Sequence, residues 1–289
     1  MSPEIPTPKL ELDPSVYSLT DEERAFMKSQ TGIESDDELK KHIIALQEKA
    51  WKVYPYPCIW RFGFAKLKIS RLPAYPHVLN LGKERQNAIF LDMACCFGTD
   101  TRKIVVDGFP ASQVIASDYR PDFWHLGHEL YKSTSETFPV AFVAGDAFDS
   151  SFITAAPVTY EKSATPTPSL ASLTALTPLQ GHISAIHAFS FFHLFKEAEQ
   201  YDLAKRMATL LSPEPGSVIF GSHIGAKEKG ELKGSQDAGL FCHSPESWTA
   251  LWNGSVFKEG SVKVDATLVP IRAGDEWQTY FLVWSVTRL

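Results

Sequence analysis

The sequence predicts an α/β fold: a mostly parallel sheet, with helices at the N-terminus and a β-hairpin at the C-terminus. Strand-like apolar runs alternate with amphipathic helical segments from Ala88 onward, which indicates a parallel sheet covered by helices on both faces. Two helix-start signals precede this region. Two long strand-like runs close the chain, and a hairpin there makes one strand antiparallel.

Composition narrows the class of protein. The chain has 289 residues, 44% of them hydrophobic and 12% aromatic, which is enough for a substantial core. With a net charge of −6 and no clustered basic face, we expect no nucleic-acid partner. We also expect no membrane span and no secretory signal in MSPEIPTPKLELDPS. Four cysteines without C-x-x-C spacing favour a reducing, cytoplasmic compartment. His125 and His128 lie three apart on an expected helix, but the sequence places no further ligands, so we expect no metal site.

Two capped helices open the chain. A capping box at Thr20–Glu23 starts the first helix, and Gly32 ends it. A second box at Ser35–Glu38 starts a helix that ends before Pro55. The aromatic stretch YPYPCIWRFGFAKLKISRLPAYPHVLN follows and is richer in apolar residues than a linker. We therefore expect residues 1–87 to form an N-terminal helical and aromatic cap before a second domain at 88–289.

The elements of the second domain follow in order. The expected strands are Ala88–Ala94, Val114–Ser117, Val140–Ala144, Ser184–Phe189, Val218–Ser222, Val262–Ile271 and Trp277–Val286. The expected helices are Thr101–Val106, Pro121–Lys132, Glu197–Leu211 and Pro245–Trp252. RAGDE joins the last two strands. Ala155–Leu179, rich in Ser, Thr, Pro and Ala, is expected to be a flexible surface insertion.

The turn after the first strand, DMACCFGTD, has the outline of a nucleotide-binding turn with one glycine. Such a turn brings backbone N–H groups and a helix N-terminus close to a ligand, and glycine helps because it has no Cβ. Ala94 and Cys96 are small substitutes, and Gly98 keeps the third position after Asp92. Taken alone, the pattern also fits an ordinary tight turn.

Two further acids support a cofactor site. Asp118 closes the second strand 20 residues after Gly98, where a carboxylate accepts hydrogen bonds from both ribose hydroxyls. Asp146, followed by Ala147, closes the third strand, where S-adenosylmethionine enzymes typically have an acid facing the adenine amino group. Singly, these acids also fit a helix cap and a turn. Together with Asp92 they line the crevice in which open α/β sheets bind ligands.

The cofactor predicted from these residues is S-adenosylmethionine. An acid at Asp92 repels a pyrophosphate but suits the ammonium of a methionine moiety and a cationic sulfonium. The side chains of Phe97, Ala94 and Cys96 also make the close approach of a pyrophosphate to the turn less favourable. The strand order with its terminal hairpin fits the methyltransferase variant of the Rossmann-like sheet. A nicotinamide dehydrogenase is the remote alternative.

Several motifs together resemble a family of fungal methyltransferases from meroterpenoid pathways of the austinol, andrastin and terretonin type. They are LDMACCFGTDTRKIVVDGFP, SDYRPDFWHLGHELY, IHAFSFFHLF, LLSPEPGSVIFGSHIG and HSPESWTALW. The resemblance runs from about Tyr54 to the C-terminus. It implies a class I S-adenosylmethionine-dependent methyltransferase, a homodimer, acting on the carboxylate of a farnesylated, dimethylorsellinate-derived polyketide. The chain departs from the family at Ala94, usually glycine, and in its longer segment 155–179.

Acceptor-site candidates follow from the chemistry of the acceptor. A carboxylate is already ionised at neutral pH and needs only positioning donors, whereas a phenol benefits from a base. His193, after the fourth strand, is the first candidate for either role, and His223 and His243 are expected to line the same side. Arg61, among aromatic residues, suits a carboxylate substrate, although a surface arginine is equally compatible.

Other residues are expected to serve packing. His187 lies within a strand and is expected to be structural, or at most a wall beside the cofactor. We expect an apolar acceptor pocket, or alternatively part of the hydrophobic core, to be formed by Trp124, Phe191, Phe192 and Trp252.

Two other functions fit the same fold. The first is a cyclase or isomerase that keeps the cofactor passively, and the second is a binding protein with a relic fold. Cofactor turnover distinguishes the first from a methyltransferase, and loss of cofactor binding favours the second.

Overall fold

A computed structural model describes residues 11–163, 165–232, 239–271 and 280–289. The helices are α1 Asp21–Thr31, α2 Asp36–Val53, α3 Pro57–Trp60, α4 Tyr75–Glu84, α5 Thr99–Val106, α6 Pro121–Leu130, α7 Glu197–Leu210 and α8 Pro245–Trp252. The strands are β1 Phe90–Met93, β2 Val114–Asp118, β3 Ala141–Ala144, β4 Ala185–Phe189, β5 Val218–Gly225, β6 Gly230–Glu231, β7 Phe241–Cys242, β8 Val262–Pro270 and β9 Tyr280–Arg288.

One sheet of seven strands organises the molecule. Its order is β3-β2-β1-β4-β5-β9-β8. The strands β1 to β5 pair in parallel, and β9 runs antiparallel to both β5 and β8. The chain winds outward from β1 on one side and from β4 on the other. The carboxyl ends of β1 and β4 therefore form the switch point at which such sheets bind ligands.

The structure differs from the predicted elements in places. β5 runs on to Gly225, because β9 pairs with it along its whole length. Sequence analysis did not identify α3, α4 or the small β6–β7 pair. The predicted RAGDE connection, the start of the last strand at Trp277 and most of the segment judged for a secretory signal lie outside the described residues.

The N-terminal helices share a core with the sheet domain. The capping box predicted for α1 is present, with Thr20 and Glu23 each bonding the other's backbone N–H. From α2, the imidazole of His42 lies 2.9 Å from the carbonyl oxygen of Leu130 on α6. Buried cap side chains such as Phe64 join Phe97 of the turn in one hydrophobic cluster. The cap is therefore fixed directly against the turn and α6.

Segment 155–179 packs against the body of the protein at both ends. The backbone N–H of Lys258 donates to the hydroxyl of Tyr160 at 2.7 Å. Leu176 and Leu179 are fully buried in the main core, and two short 3-10 turns lie nearby. Sequence analysis predicted a surface insertion, but its C-terminal end is part of the core. Within the described ranges, no helix is long and apolar enough to span a membrane.

Candidate functional site

The turn after β1 keeps a glycine-like backbone without the glycines. Ala94 and Cys96 have φ values of +58° and +53°, and Gly98 has +68°. A non-glycine residue in this left-handed region costs about 1–2 kcal/mol, and such strain clusters at functional sites. At Gly98 glycine is required, since a Cβ would lie 2.5 Å from the Trp124 ring. The predicted turn geometry is therefore present at the switch point.

Asp118, at the end of β2, holds this turn. One carboxylate oxygen accepts from the backbone N–H of Cys96 at 2.8 Å, and the other from that of Arg120 at 2.9 Å. Burial raises the pKa of Asp118 to about 6. Because each carboxylate oxygen can accept more than one hydrogen bond, the ionised group can still bind two hydroxyls of a ligand.

Asp146 lies in the loop after β3, as predicted. One of its oxygens accepts from the backbone N–H of Phe148 at 2.9 Å, which fixes the loop. Ala147 beside it is buried. The Phe148 ring packs edge-on against Phe195, with centroids 4.9 Å apart. The carboxyl end of β3 thus presents a carboxylate next to a half-buried aromatic surface.

Asp92 is a predicted cofactor residue whose carboxylate is buried and hydrogen-bonded inside the protein. It is 2% exposed. One oxygen lies 2.8 Å from Nδ1 of His187 on β4, and the other accepts from the hydroxyl of Thr101 on α5 at 2.5 Å. Asp92 therefore ties together the strands on both sides of the switch point. His187, 1% exposed, is its structural partner.

Phe97 does not crowd a ligand over the turn. Its ring is 1% exposed and stacks on Phe64, with centroids 4.4 Å apart. On its other side lies Phe123 of α6, at 6.1 Å. The expectation that Phe97 obstructs a pyrophosphate is therefore wrong, because the ring is packed in the cap cluster.

Three histidines come together near the carboxyl ends of β4 and β5. His193 follows β4, His223 lies in β5, and His243 precedes α8. Burial is the main cause that lowers the pKa of His193 and of His243 to about 4. Burial also lowers the pKa of His223 well below its ordinary value, and the two neighbouring histidines lower it further. All three imidazoles are uncharged at neutral pH.

Hydrogen bonds fix the tautomer of two of these histidines. Nδ1 of His223 accepts from the indole N–H of Trp284 at 2.9 Å, and Nδ1 of His193 accepts from the backbone N–H of Ile224 at 3.2 Å. The single proton of each neutral ring is therefore on Nε2, which can only donate. Nε2 of His223 is buried without a partner among the described residues.

The tautomer of His243 is not fixed in the same way. Its Nδ1 lies 2.9 Å from the hydroxyl of Ser247, and either group can be the donor. Its Nε2 is buried and has no partner in the described part of the chain. His243 is therefore the member of the three that can present an accepting nitrogen.

An aromatic wall surrounds the histidines. The rings of Phe192 and Trp248 lie 5.6 and 4.6 Å from that of His223, and Trp252 packs on both. Trp124, predicted for the same wall, lies elsewhere. It packs beneath Gly98 and stacks on Phe142, with centroids 5.0 Å apart.

Arg61 is not gathered into this site. It is exposed, and no hydrogen bond or ion pair of its side chain occurs among the described residues. Near Asp118, Arg120 is an arginine with an aromatic neighbour, since its guanidinium lies 4.3 Å from the Tyr54 ring centroid. Its place directly before the proline that starts α6, two residues after Asp118, is the signal that could have found it.

Two further residues at the carboxyl edge of the sheet were missed. Tyr119, directly after Asp118, exposes 52% of its surface beside the predicted ribose position. Lys68 reaches from the cap, with its ammonium 5.2 Å from the Phe189 ring centroid at the end of β4. The sequence pattern does not indicate Lys68, because only the packing of the cap brings its ammonium to the end of β4.

Among the described residues, no group of three or more His, Cys, Asp or Glu side chains is placed to hold a metal.

Comparison with known proteins identifies similar fungal enzymes. A family model described as the meroterpenoid methyltransferase N-terminal domain matches residues 12–65, so the resemblance begins well before Tyr54. O-methyltransferase phiE of a fungal species (strain ATCC 74256) is 34% identical over 73% of this chain and 63% of its own length. Asnovolin E/chermesin D methyltransferase nvfJ of Aspergillus novofumigatus is 30% identical over 74% of this chain and 69% of its own length.

The chain does not span its relatives fully. It covers less than two thirds of phiE, and 52% of O-methyltransferase atr3 of Stereocaulon alpinum, to which it is 31% identical.

Among the solved structures with a similar fold, one is a methyltransferase that binds a product of the cofactor. It is Burkholderia thailandensis 1,6-didemethyltoxoflavin-N1-methyltransferase with bound 1,6-didemethyltoxoflavin and S-adenosylhomocysteine. It aligns with a TM-score of 0.50 at 15% identity, over 89% of this chain and 91% of that one. At this identity the likeness concerns the fold alone, and it confirms the predicted Rossmann-like methyltransferase sheet.

Proposed function

Because this chain belongs to the family of fungal meroterpenoid methyltransferases that includes the asnovolin E/chermesin D methyltransferase, we propose that it is an S-adenosylmethionine-dependent O-methyltransferase. We further propose that it forms the methyl ester of an apolar, prenylated polyketide acid. The observation that carries the choice of acceptor is the fixed tautomer of His193 and His223, which makes both rings hydrogen-bond donors.

The residues at the switch point fit the cofactor. The left-handed backbone at Ala94 and Cys96 keeps the turn open to close approach. Asp118 would hold the ribose hydroxyls, and the Asp146–Ala147 loop would face the adenine. The cofactor supplies an electrophilic methyl group on a sulfonium, which a nucleophilic oxygen attacks in line. Our proposal gives the chain two tasks, which are to align that oxygen and to exclude water.

The reaction balances without a base when the acceptor is a carboxylate. One carboxylate oxygen forms the new bond to the methyl carbon, and the carbon–sulfur bond breaks with its electron pair on sulfur. The products are the neutral methyl ester and S-adenosylhomocysteine, and no proton is released. A phenol would have to lose a proton, and the Nε2 atoms of His193 and His223 already carry one.

The aromatic wall supports an apolar acceptor. Phe192, Trp248 and Trp252 are fully buried around the histidines, while Phe191 and Phe195 are half-buried next to them. Neutral donors in such surroundings hold an anion strongly, since a low local dielectric strengthens charge-assisted hydrogen bonds.

An assay with paired acceptors tests the proposal. The purified protein is incubated with methyl-labelled S-adenosylmethionine and either farnesylated dimethylorsellinic acid or its methyl ester, which keeps the phenols but lacks the acid. We expect labelling of the acid alone, with all label released by alkaline hydrolysis, and a rate that is flat between about pH 6 and 8 because the acid is ionised throughout.

Labelling of the ester, or label stable to alkali, would instead indicate phenol methylation. In that case His243, whose Nε2 can accept a proton, would be the base. A His243→Gln variant would then lose phenol methylation and its rise with pH.

A further inference from the structure

Lys68 brings a positive charge to the switch point from outside the sheet. It lies in the cap, just before a 3-10 turn at Ile69–Arg71. The backbone N–H groups of Lys68 and Ile69 both donate to one carboxylate oxygen of Asp100 on α5, each at 3.0 Å. This double hydrogen bond anchors the segment to the helix that follows the cofactor turn, so the position of Lys68 is set by the fold.

The ammonium of Lys68 is poorly satisfied within the protein. It lies 3.3 Å from the carbonyl oxygen of Gly63 and 3.5 Å from the second carboxylate oxygen of Asp100. Both distances exceed the usual range for such contacts. An ammonium has three donors, and the Phe189 ring, with its centroid 5.2 Å away, offers no hydrogen-bond acceptor in the usual sense. The group therefore has donor capacity left for a ligand.

The surroundings keep this group charged and close to the turn. Burial alone would lower the pKa of Lys68, but the opposing influence of Asp100, followed by Cys96, Cys58 and Asp92, leaves the pKa above its ordinary value. Its side chain is 27% exposed. A charged group with spare donors, partly shielded between the cap and the ends of β1 and β4, suits an anionic ligand group.

We propose that Lys68 binds a ligand carboxylate at the switch point, and that this carboxylate belongs to the methionine moiety of the cofactor. The assignment rests on the proposed cofactor. The carboxylate of the acceptor has the same chemistry, so the experiment must separate the two sources.

The test compares ligands with and without the amino-acid end. Wild type and Lys68→Met, which keeps the apolar stem, are titrated by calorimetry with S-adenosylhomocysteine and with 5′-methylthioadenosine, which lacks the carboxylate. Because a charge-assisted hydrogen bond is lost, we expect affinity for S-adenosylhomocysteine to fall about 10- to 100-fold in Lys68→Met. Affinity for 5′-methylthioadenosine should not change, and Lys68→Arg should recover much of the loss.

Lys66→Met is the matched control, because Lys66 lies in the same segment as Lys68 but its ammonium donates to the carbonyl oxygen of Ser18, at 2.8 Å. It should leave both affinities unchanged. Equal losses for the two ligands in Lys68→Met, or none, would overturn the proposal. If only the KM for the farnesylated acid rises, the carboxylate is that of the acceptor and our assignment to the cofactor is wrong. Wild-type binding of S-adenosylhomocysteine tests the proposed function separately.

Discussion

At the scale of single residues, the cofactor turn shows how a degraded motif keeps its geometry. The turn follows the backbone path of a glycine-rich loop, and Ala94 and Cys96 adopt left-handed conformations to do so. Sequence identified these positions because spacing from Asp92 and Gly98 is local information. It could not reveal the strain, which appears only when the backbone conformation is known.

Ala94→Gly should therefore stabilise the protein. Removing the Cβ relieves about 1–2 kcal/mol of strain. Glycine also makes the unfolded chain more flexible, which lowers the free energy of unfolding and offsets part of this gain. We therefore expect the free energy of unfolding to rise by about 1 kcal/mol. Urea unfolding measures it. Ala45→Gly, at an exposed position in the middle of α2, is the control and should lose about 0.5–1 kcal/mol. Destabilisation of similar size in both variants would show that Ala94 is not strained.

Asp118 should make cofactor binding depend on pH. We propose that its ionised form accepts the ribose hydrogen bonds, and burial raises its pKa in the free protein to about 6. Affinity for S-adenosylhomocysteine should therefore fall by up to about tenfold per pH unit below 6. The free protein should gain stability over the same range, because the folded state takes up the proton first.

Calorimetric titrations at pH 7.5 and pH 5 measure this dependence. Asp118→Asn should bind more weakly at pH 7.5 and lose the dependence, whereas Asp122→Asn, an exposed position on α6, should behave as wild type. Wild-type affinity that is equal at both pH values would place the ribose elsewhere.

At the scale of elements, pairing between strands determines strand lengths and side-chain contacts that the sequence pattern does not indicate. The strand cores were predicted within a few residues, since apolar runs bounded by turn residues are local signals. The extension of β5 comes from its pairing with β9. Similarly, Asp92 meets His187 because β1 and β4 pair in register at those two residues. The carboxylate of Asp92, predicted to face the cofactor, also joins β1 to β4 and to α5 inside the protein.

Asp92→Ala should consequently act on stability. It leaves buried His187 and Thr101 without their partner, and each unsatisfied group costs about 1–3 kcal/mol. We expect a loss of about 2–4 kcal/mol in urea unfolding. Asp265→Ala on β8, where the aspartate is exposed and paired with Lys263, should change stability by less than about 0.5 kcal/mol. Normal stability with a tenfold loss in cofactor affinity would return Asp92 to the cofactor site.

At the largest scale, the N-terminal cap packs directly against the carboxyl edge of the sheet. Lys68 and the Phe64–Phe97 stack bring the N-terminal segment against the turn, and the histidines gather from three separate segments around β5. Sequence placed His193 and His243 on the acceptor side because strand ends meet at one edge. It misjudged Arg61, since exposure depends on how the cap packs.

Above all, we propose that the turn after β1 binds a methyl-donor cofactor. The most direct test is a calorimetric titration of the purified protein with S-adenosylhomocysteine, with NAD as the control ligand. Our account predicts saturable binding of S-adenosylhomocysteine and none of NAD. Absence of S-adenosylhomocysteine binding by the folded protein, or saturable binding of NAD, would contradict it.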